Sequence, residues 1–295
     1  MKILLIASMY LLFQNSWAEE KLQFKQIFTE IPATTKLTFR ESFSRKAVPA
    51  WGAILGSSAI LYYYDEQIYA DWKRLGRNWG IGNEDNTQSF ITVRGQEFLR
   101  LPTDTGSAAY FLGDGWMHFA IGGAFLGHGH YDSNNYDFNT GIMIWHGMVT
   151  STIFNQLIKR SFGRESPAAS THYRGNTKPF PSFNEYNTRT GSYDAVPSGH
   201  LMTLMMSFTI ISERYPEYNH YSYPIGGIAV TALMFQMVNN GVHWASDYPL
   251  GMAMGYVFGK MSTKMGGVQS TDAVTKTTQW QLIPTLKGVY AVKSF

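Results

Sequence analysis

The chain contains no cysteine, which excludes disulfides and thiolate-bound metals. Charge is scarce: 15% of residues carry it, against ~25% in ordinary soluble domains. That scarcity points to a membrane protein or an unusually apolar helical bundle. Basic runs are missing and the net charge is only +3, so nucleic acid is not a partner class the sequence supports. No internal repeat is visible. Long uninterrupted apolar runs are also lacking. The apolar segments are laced with Gly, Ser, Thr and Met, marginal for a bilayer core of ~30 Å, and the mean hydropathy is −0.18. Aromatics are what the chain has in abundance: 18 Tyr, 19 Phe and 8 Trp.

The N-terminus, MKILLIASMYLLFQNSWAEE, has a lysine, a short apolar stretch and Ser16-Trp17-Ala18 before two glutamates. This is the layout of a signal peptide over 1–18, cleaved after Ala18, and it implies export across a bacterial inner membrane. Residues 19–46 are mixed and charged and read as a surface arm. An apolar helix is expected over 47–64, ended by Asp65-Glu66, with loops and short helices over 65–105. Further apolar segments cover 106–127, broken by Asp114, and 140–158. A polar loop spans 165–196, long enough to suggest function. Helices are then expected over 200–212, 224–239 and 248–261. The tail over 263–295 alternates enough for a strand or is a loose end.

Three stretches carry chemistry. In DAVPSGHLMT, residues 194–203, Ser198 is a good N-cap and Gly199 lets the backbone approach a ligand closely. The first helical turn offers free N–H groups and the positive end of the dipole, an anion site. His200 stands where an imidazolium could protonate a leaving oxygen. In GVHWASDYPLG, residues 241–251, His243 and Asp247 lie four apart and would share a helix face. A carboxylate on one ring nitrogen leaves the other free as a nucleophile. In IKRSFGRESP, residues 158–167, Lys159, Arg160 and Arg164 gather cations at a helix end.

The trio resembles the type 2 phosphatidic acid phosphatase and vanadium haloperoxidase superfamily in order and spacing, over roughly residues 45–262. The resemblance implies an all-α fold, a bundle of about six core helices over 47–262. It implies that His243 attacks phosphorus, Asp247 orients it and His200 protonates the departing alcohol. Lys159, with Ser198 and Gly199, would hold the phosphate oxygens, and no metal or other cofactor is implied. The substrate implied is a phosphate monoester, above all a lipid phosphate. Two positions depart from the family pattern: Ser166 and Met237 stand where the family has arginine. Arg164, two residues before the first vacancy, is the candidate to swing in. A serine does not replace a bidentate arginine, and a haloperoxidase would need that cradle intact to hold vanadate. A catalytically impaired phosphate-binding member and a lipid phosphotransferase remain as alternatives.

Topology adds a constraint. If Ala18 is the cleavage point and all three earlier apolar segments span, Lys159 falls on the cytoplasmic side. A site facing the periplasm requires an uncleaved leader, a segment that does not span (106–127, with its Asp114, is the weakest) or no span at all. The expected location is the inner membrane or periplasm. GHGHYD, with His128, His130 and Asp132, reads as a polar loop rather than a metal site. His118 and His146 read as hydrogen-bonded core residues, and LMTLMM, 201–206, as apolar filler.

Overall fold

Short polar side chains mark where this chain turns into its helices. The computed structural model describes residues 19–93, 96–267, 280–285 and 288–293; the expected signal peptide, 1–18, lies outside them. The helices are α1 Gln26–Thr29, α2 Ile31–Ser42, α3 Val48–Asn78, α4 Thr105–Phe111, α5 Gly115–Tyr131, α6 Asn135–Phe162, α7 Phe183–Thr188, α8 Gly199–Arg214, α9 Asn219–Asn239 and α10 Tyr248–Ser262. Asp104, Asp114, Asn134 and Ser198 cap α4, α5, α6 and α8, each accepting backbone N–H bonds of its first turn. Gly163 ends α6 in the left-handed region, φ 57°, a conformation that costs glycine nothing.

The protein is an all-α bundle. Among the described residues, the long helices α3, α5, α6, α8, α9 and α10 form its body, and α8–α10 and α5–α6 are its most extensive pairings. One core lies between α5, α6, α8 and α10, around Ile142, Met143, Met202, Met206, Ile210 and Phe258. Each such side chain contributes roughly 1.5–3 kcal/mol of burial. Methionines of the 201–206 run therefore fill the core, as expected. A second core joins Leu201, Leu233, Met237 and Tyr248 to the α3 side chains Leu61, Ile68 and Trp72. The α8–α10 contact is close because α10 presents a glycine face. A Cβ on Gly251 would stand 2.5 Å from the Ser198 carbonyl oxygen, and one on Gly259 2.7 Å from that of Met206.

Three expectations are corrected. Residues 19–46 are not a surface arm: α1 and α2 pack on α6 and α10, and Leu22 and Ile27 are buried. His146 explains the docking, since its two ring nitrogens bond Ile27 O and Thr34 Oγ1, both at 2.8 Å. Arg214 adds an ion pair to Glu19 at 2.7 Å. Second, Asp65-Glu66 does not end a helix. α3 continues to Asn78 because Asp65 faces inward, 1% exposed, onto a buried partner. Third, 65–105 is not loops and short helices: an antiparallel hairpin, β1 Thr87–Val93 with β2 Gln96–Pro102, follows α3. In the tail, β3 Trp280–Thr285 pairs antiparallel with β4 Gly288–Lys293. No described helix is long and apolar enough to cross a membrane.

Candidate active site

The three motif segments meet at one end of the bundle, where α6 ends and α8 and α10 begin. Backbone hydrogen bonds stitch them together. Ala195 N–H donates to Arg164 O at 3.1 Å, and Ser198 N–H donates to Asp247 O at 3.1 Å. Ser198 caps α8, its Oγ accepting the Leu201 N–H at 3.4 Å. The first-turn N–H groups of α8 therefore sit at the meeting point, at the positive end of its dipole.

His243 and Asp247 do not share an α-helical face. His243 lies in an extended turn, followed by a single 3-10 turn over Ala245–Asp247. Asp247 closes that turn by accepting the Trp244 N–H at 2.8 Å. The His243 ring is 1% exposed, and its Nδ1 lies 2.5 Å from the Ala195 carbonyl oxygen. A carbonyl only accepts, so Nδ1 carries the proton and Nε2 keeps its lone pair. The Asp247 carboxylate is 3.7 Å from the same nitrogen, beyond hydrogen-bond range. The direct orienter is thus a backbone carbonyl of the Pro-Ser-Gly-His loop, with Asp247 behind it. The His200 and His243 rings stand 6.3 Å apart between centroids. Tyr110 of α4 packs against His200 with ring centroids 4.3 Å apart, the rings tilted by 42°.

Lys159 is 5% exposed. Its ammonium donates to Asp194 O at 2.6 Å and Asp194 Oδ2 at 3.1 Å, and its Cε reaches to 3.8 Å of where a Gly199 Cβ would be. The same missing Cβ makes room for Asn155, whose Nδ2 would lie 2.9 Å from it. Asn155 is buried, and its Oδ1 has no hydrogen-bond partner. A side chain at 199 would thus displace the Asn155 amide from the tip of α8.

Arg164 is corrected. It does not swing toward a phosphate, because four acceptors already hold its guanidinium. NH1 donates to Ser246 Oγ at 2.7 Å and Asp247 Oδ1 at 2.6 Å; NH2 donates to Asp65 Oδ2 at 2.8 Å and Arg174 O at 2.8 Å. Burial alone would lower its pKa, but the charges of Asp247 and Asp65 more than offset that and raise it. Burial raises the Asp65 carboxyl above its ordinary value, against donors from Ser246 and Arg164. Tyr248, fully enclosed, is raised well above the usual phenol range by burial and by Asp247 and Asp65.

Neither position that departs from the family pattern supplies a cation. Met237 is fully buried, its sulfur 3.5 Å from Ser198 Oγ. Ser166 is buried in the loop and tied by its N–H to Gly191 O. Among the described residues no group of three metal-ligating side chains forms, and His128 instead bonds Asp137 at 2.7 Å. Asp65, expected as a helix end, and Asp194, Asn155 and Tyr110 carry no motif that would place them at the site. Asp65 had a signal: a lone acid pair inside an aromatic helical run.

No curated protein matches the chain, and no solved structure does either. The family model of the PAP2 superfamily matches residues 142–269, the stretch that holds Lys159, His200, His243 and Asp247 but neither α3 nor Asp65. Over that segment the chain is similar to the PAP2 superfamily.

Proposed function

We propose that this protein is a phosphatase of the cell envelope that cleaves a lipid phosphate monoester through a phosphohistidine on His243. The observation that carries the reading is the pair of His243 and His200 rings, centroids 6.3 Å apart, with His243 Nδ1 taken by Ala195 O, at the N-terminus of a capped helix. In the first step the Nε2 lone pair forms a bond to phosphorus and the phosphorus–oxygen ester bond breaks. His200 gives its proton to the departing alkoxide. In the second step neutral His200 takes a proton from water, the water oxygen bonds phosphorus, and the nitrogen–phosphorus bond breaks. Lys159 and the N–H groups at the start of α8 meet the charge on the phosphoryl oxygens.

The lipid part of the reading is supported by an apolar groove of about 430 Å³. Ile158, next to Lys159, and Leu250, at the start of α10, line it together with Phe39, Trp51 and Met254, and Lys46, Lys260 and Lys264 border it. Exposed Val48, Leu55 and Ile60 on α3 and Ile225 and Ile228 on α9 add apolar surface suited to lying against a membrane. The N-terminal sequence supports export, and with it a site on the periplasmic side.

A panel of lipid and soluble phosphate esters tests the reading. The wild type should prefer lipid esters, and His243→Ala should lose turnover. Equal turnover by His243→Ala would reject the mechanism, and preference for soluble esters would reject the substrate class. The buried Met237 beside Ser198 favours a second reading, an impaired member that binds phosphate esters without turnover. A wild type that binds such an ester without cleaving it would select that reading. Product analysis with alcohol acceptors separates hydrolysis from phosphotransfer.

A further inference from the structure

We infer that Asp65 is a positioning residue of this site, holding the His243–Asp247 turn from outside the segment that the family model matches. The inference rests on the phosphohistidine reading for its kinetic consequence and on geometry for everything else. Asp65 projects from the middle of α3 and is 1% exposed. It accepts three bonds: Ser246 N–H at 3.0 Å, Ser246 Oγ–H at 2.6 Å and Arg164 NH2 at 2.8 Å. Three donors and no acceptor suit a carboxylate. Two of those donors belong to the turn that carries Asp247, and the third belongs to the side chain that grips Asp247 Oδ1 at 2.6 Å. Asp65 thus closes a ring of Asp65, Ser246, Asp247 and Arg164.

Charge gives the ring a second role. Asp65 and Asp247 set two negative charges against the one positive charge of Arg164, leaving a surplus of one negative charge. Without Asp65, Arg164 and Asp247 would cancel. The other ionisable groups around His243 are Lys159 with Asp194, paired at 3.1 Å, His200 with Tyr110 packed against it, and Tyr248, whose hydroxyl donates to Met234 O. The Lys159–Asp194 pair adds no net charge. When Nε2 bonds phosphorus, the imidazole gains positive charge, and the surplus from Asp65 stabilises it in a low-dielectric interior. Substrate binding draws on Lys159 and the α8 N–H groups instead.

The test is Asp65→Asn beside Asp65→Glu and Ser246→Ala, each checked for folding by circular dichroism. Asp65→Asn should lower kcat roughly ten- to hundredfold, the range for removing the partner that orients a reacting group, and leave KM within about threefold of wild type. Asp65→Glu should recover part of kcat. Ser246→Ala, which keeps all three charges, should fall between Asp65→Asn and wild type. If Asp65→Asn does not fold, Ser246→Ala and Asp65→Glu carry the same comparison. Unchanged kcat, or a loss confined to KM, would overturn the inference. A readout free of turnover separates it from the mechanism: the ring N–H proton of His243, held by Ala195 O, should exchange with solvent at least about tenfold faster in Asp65→Asn. An unchanged exchange rate would overturn the positioning role even in an active enzyme. A wild type without turnover would defeat the mechanism alone.

Discussion

Replacing Arg164 by alanine should unfold the site before it affects phosphate. Arg164 is 5% exposed, and its guanidinium serves two carboxylates with fully buried side chains, Asp65 and Asp247. Its removal leaves both without their cation, and Ser246 Oγ and Arg174 O lose a donor as well. Breaking a buried ion pair by deleting one partner costs about 3–5 kcal/mol. That is about a fifth or more of a typical folding free energy of about 5–15 kcal/mol. In urea the unfolding midpoint should fall by about 1–2.5 M for an m-value of about 2–3 kcal/mol/M. Lysine should rescue little, because one ammonium cannot span acceptors placed around a planar fork. Adding Asp65→Asn to Arg164→Ala should recover part of the loss, since one orphaned charge disappears. A variant with the wild-type midpoint and a raised KM would refute the reasoning. That pattern belongs to an arginine that faces phosphate.

Acid should destabilise the fold through its buried imidazoles. Burial lowers His118 to about 4 and also lowers His146. Below the unfolded value of about 6.5 the unfolded chain binds protons that the folded chain refuses, so stability falls as pH drops from 6.5 toward 4. His118 alone accounts for about 3 kcal/mol over that window, and His118→Gln should flatten the urea midpoint against pH there; an unchanged slope would contradict it. Gly251→Ala should cost about 1–3 kcal/mol of overpacking and displace the Ser198 turn, read as a lower melting temperature with reduced kcat. Lys159→Met should raise KM for phosphate esters at least about tenfold, measured by initial rates; an unaltered KM would remove Lys159 from the phosphate cradle.

The helical body was legible because local chemistry writes it. Ser198 caps α8, and Asp114 interrupts the apolar run between α4 and α5, both visible as short polar residues before apolar stretches. Lys159, His200 and His243 became candidates through their motifs together with the family resemblance, and the structure brings the His200 and His243 rings to 6.3 Å. What was hidden depends on partners far along the chain. Asp65 reads as a helix stop until Arg164, 99 residues away, is seen to face it. The extended turn at His243 replaces the expected helix because Asp247 spends its second oxygen on the Trp244 N–H. Residues 19–46 look solvated by composition, yet His146 and Arg214, both inside the bundle, take up their polar groups.

Trapping the covalent intermediate tests the central claim most directly. Protein mixed with a radiolabelled phosphate ester and quenched within milliseconds should carry label that is stable to base, labile to acid and located on His243. Label absent from His243→Ala but present in wild type is the predicted result. Turnover with no labelled protein, or label on another residue, would contradict the account.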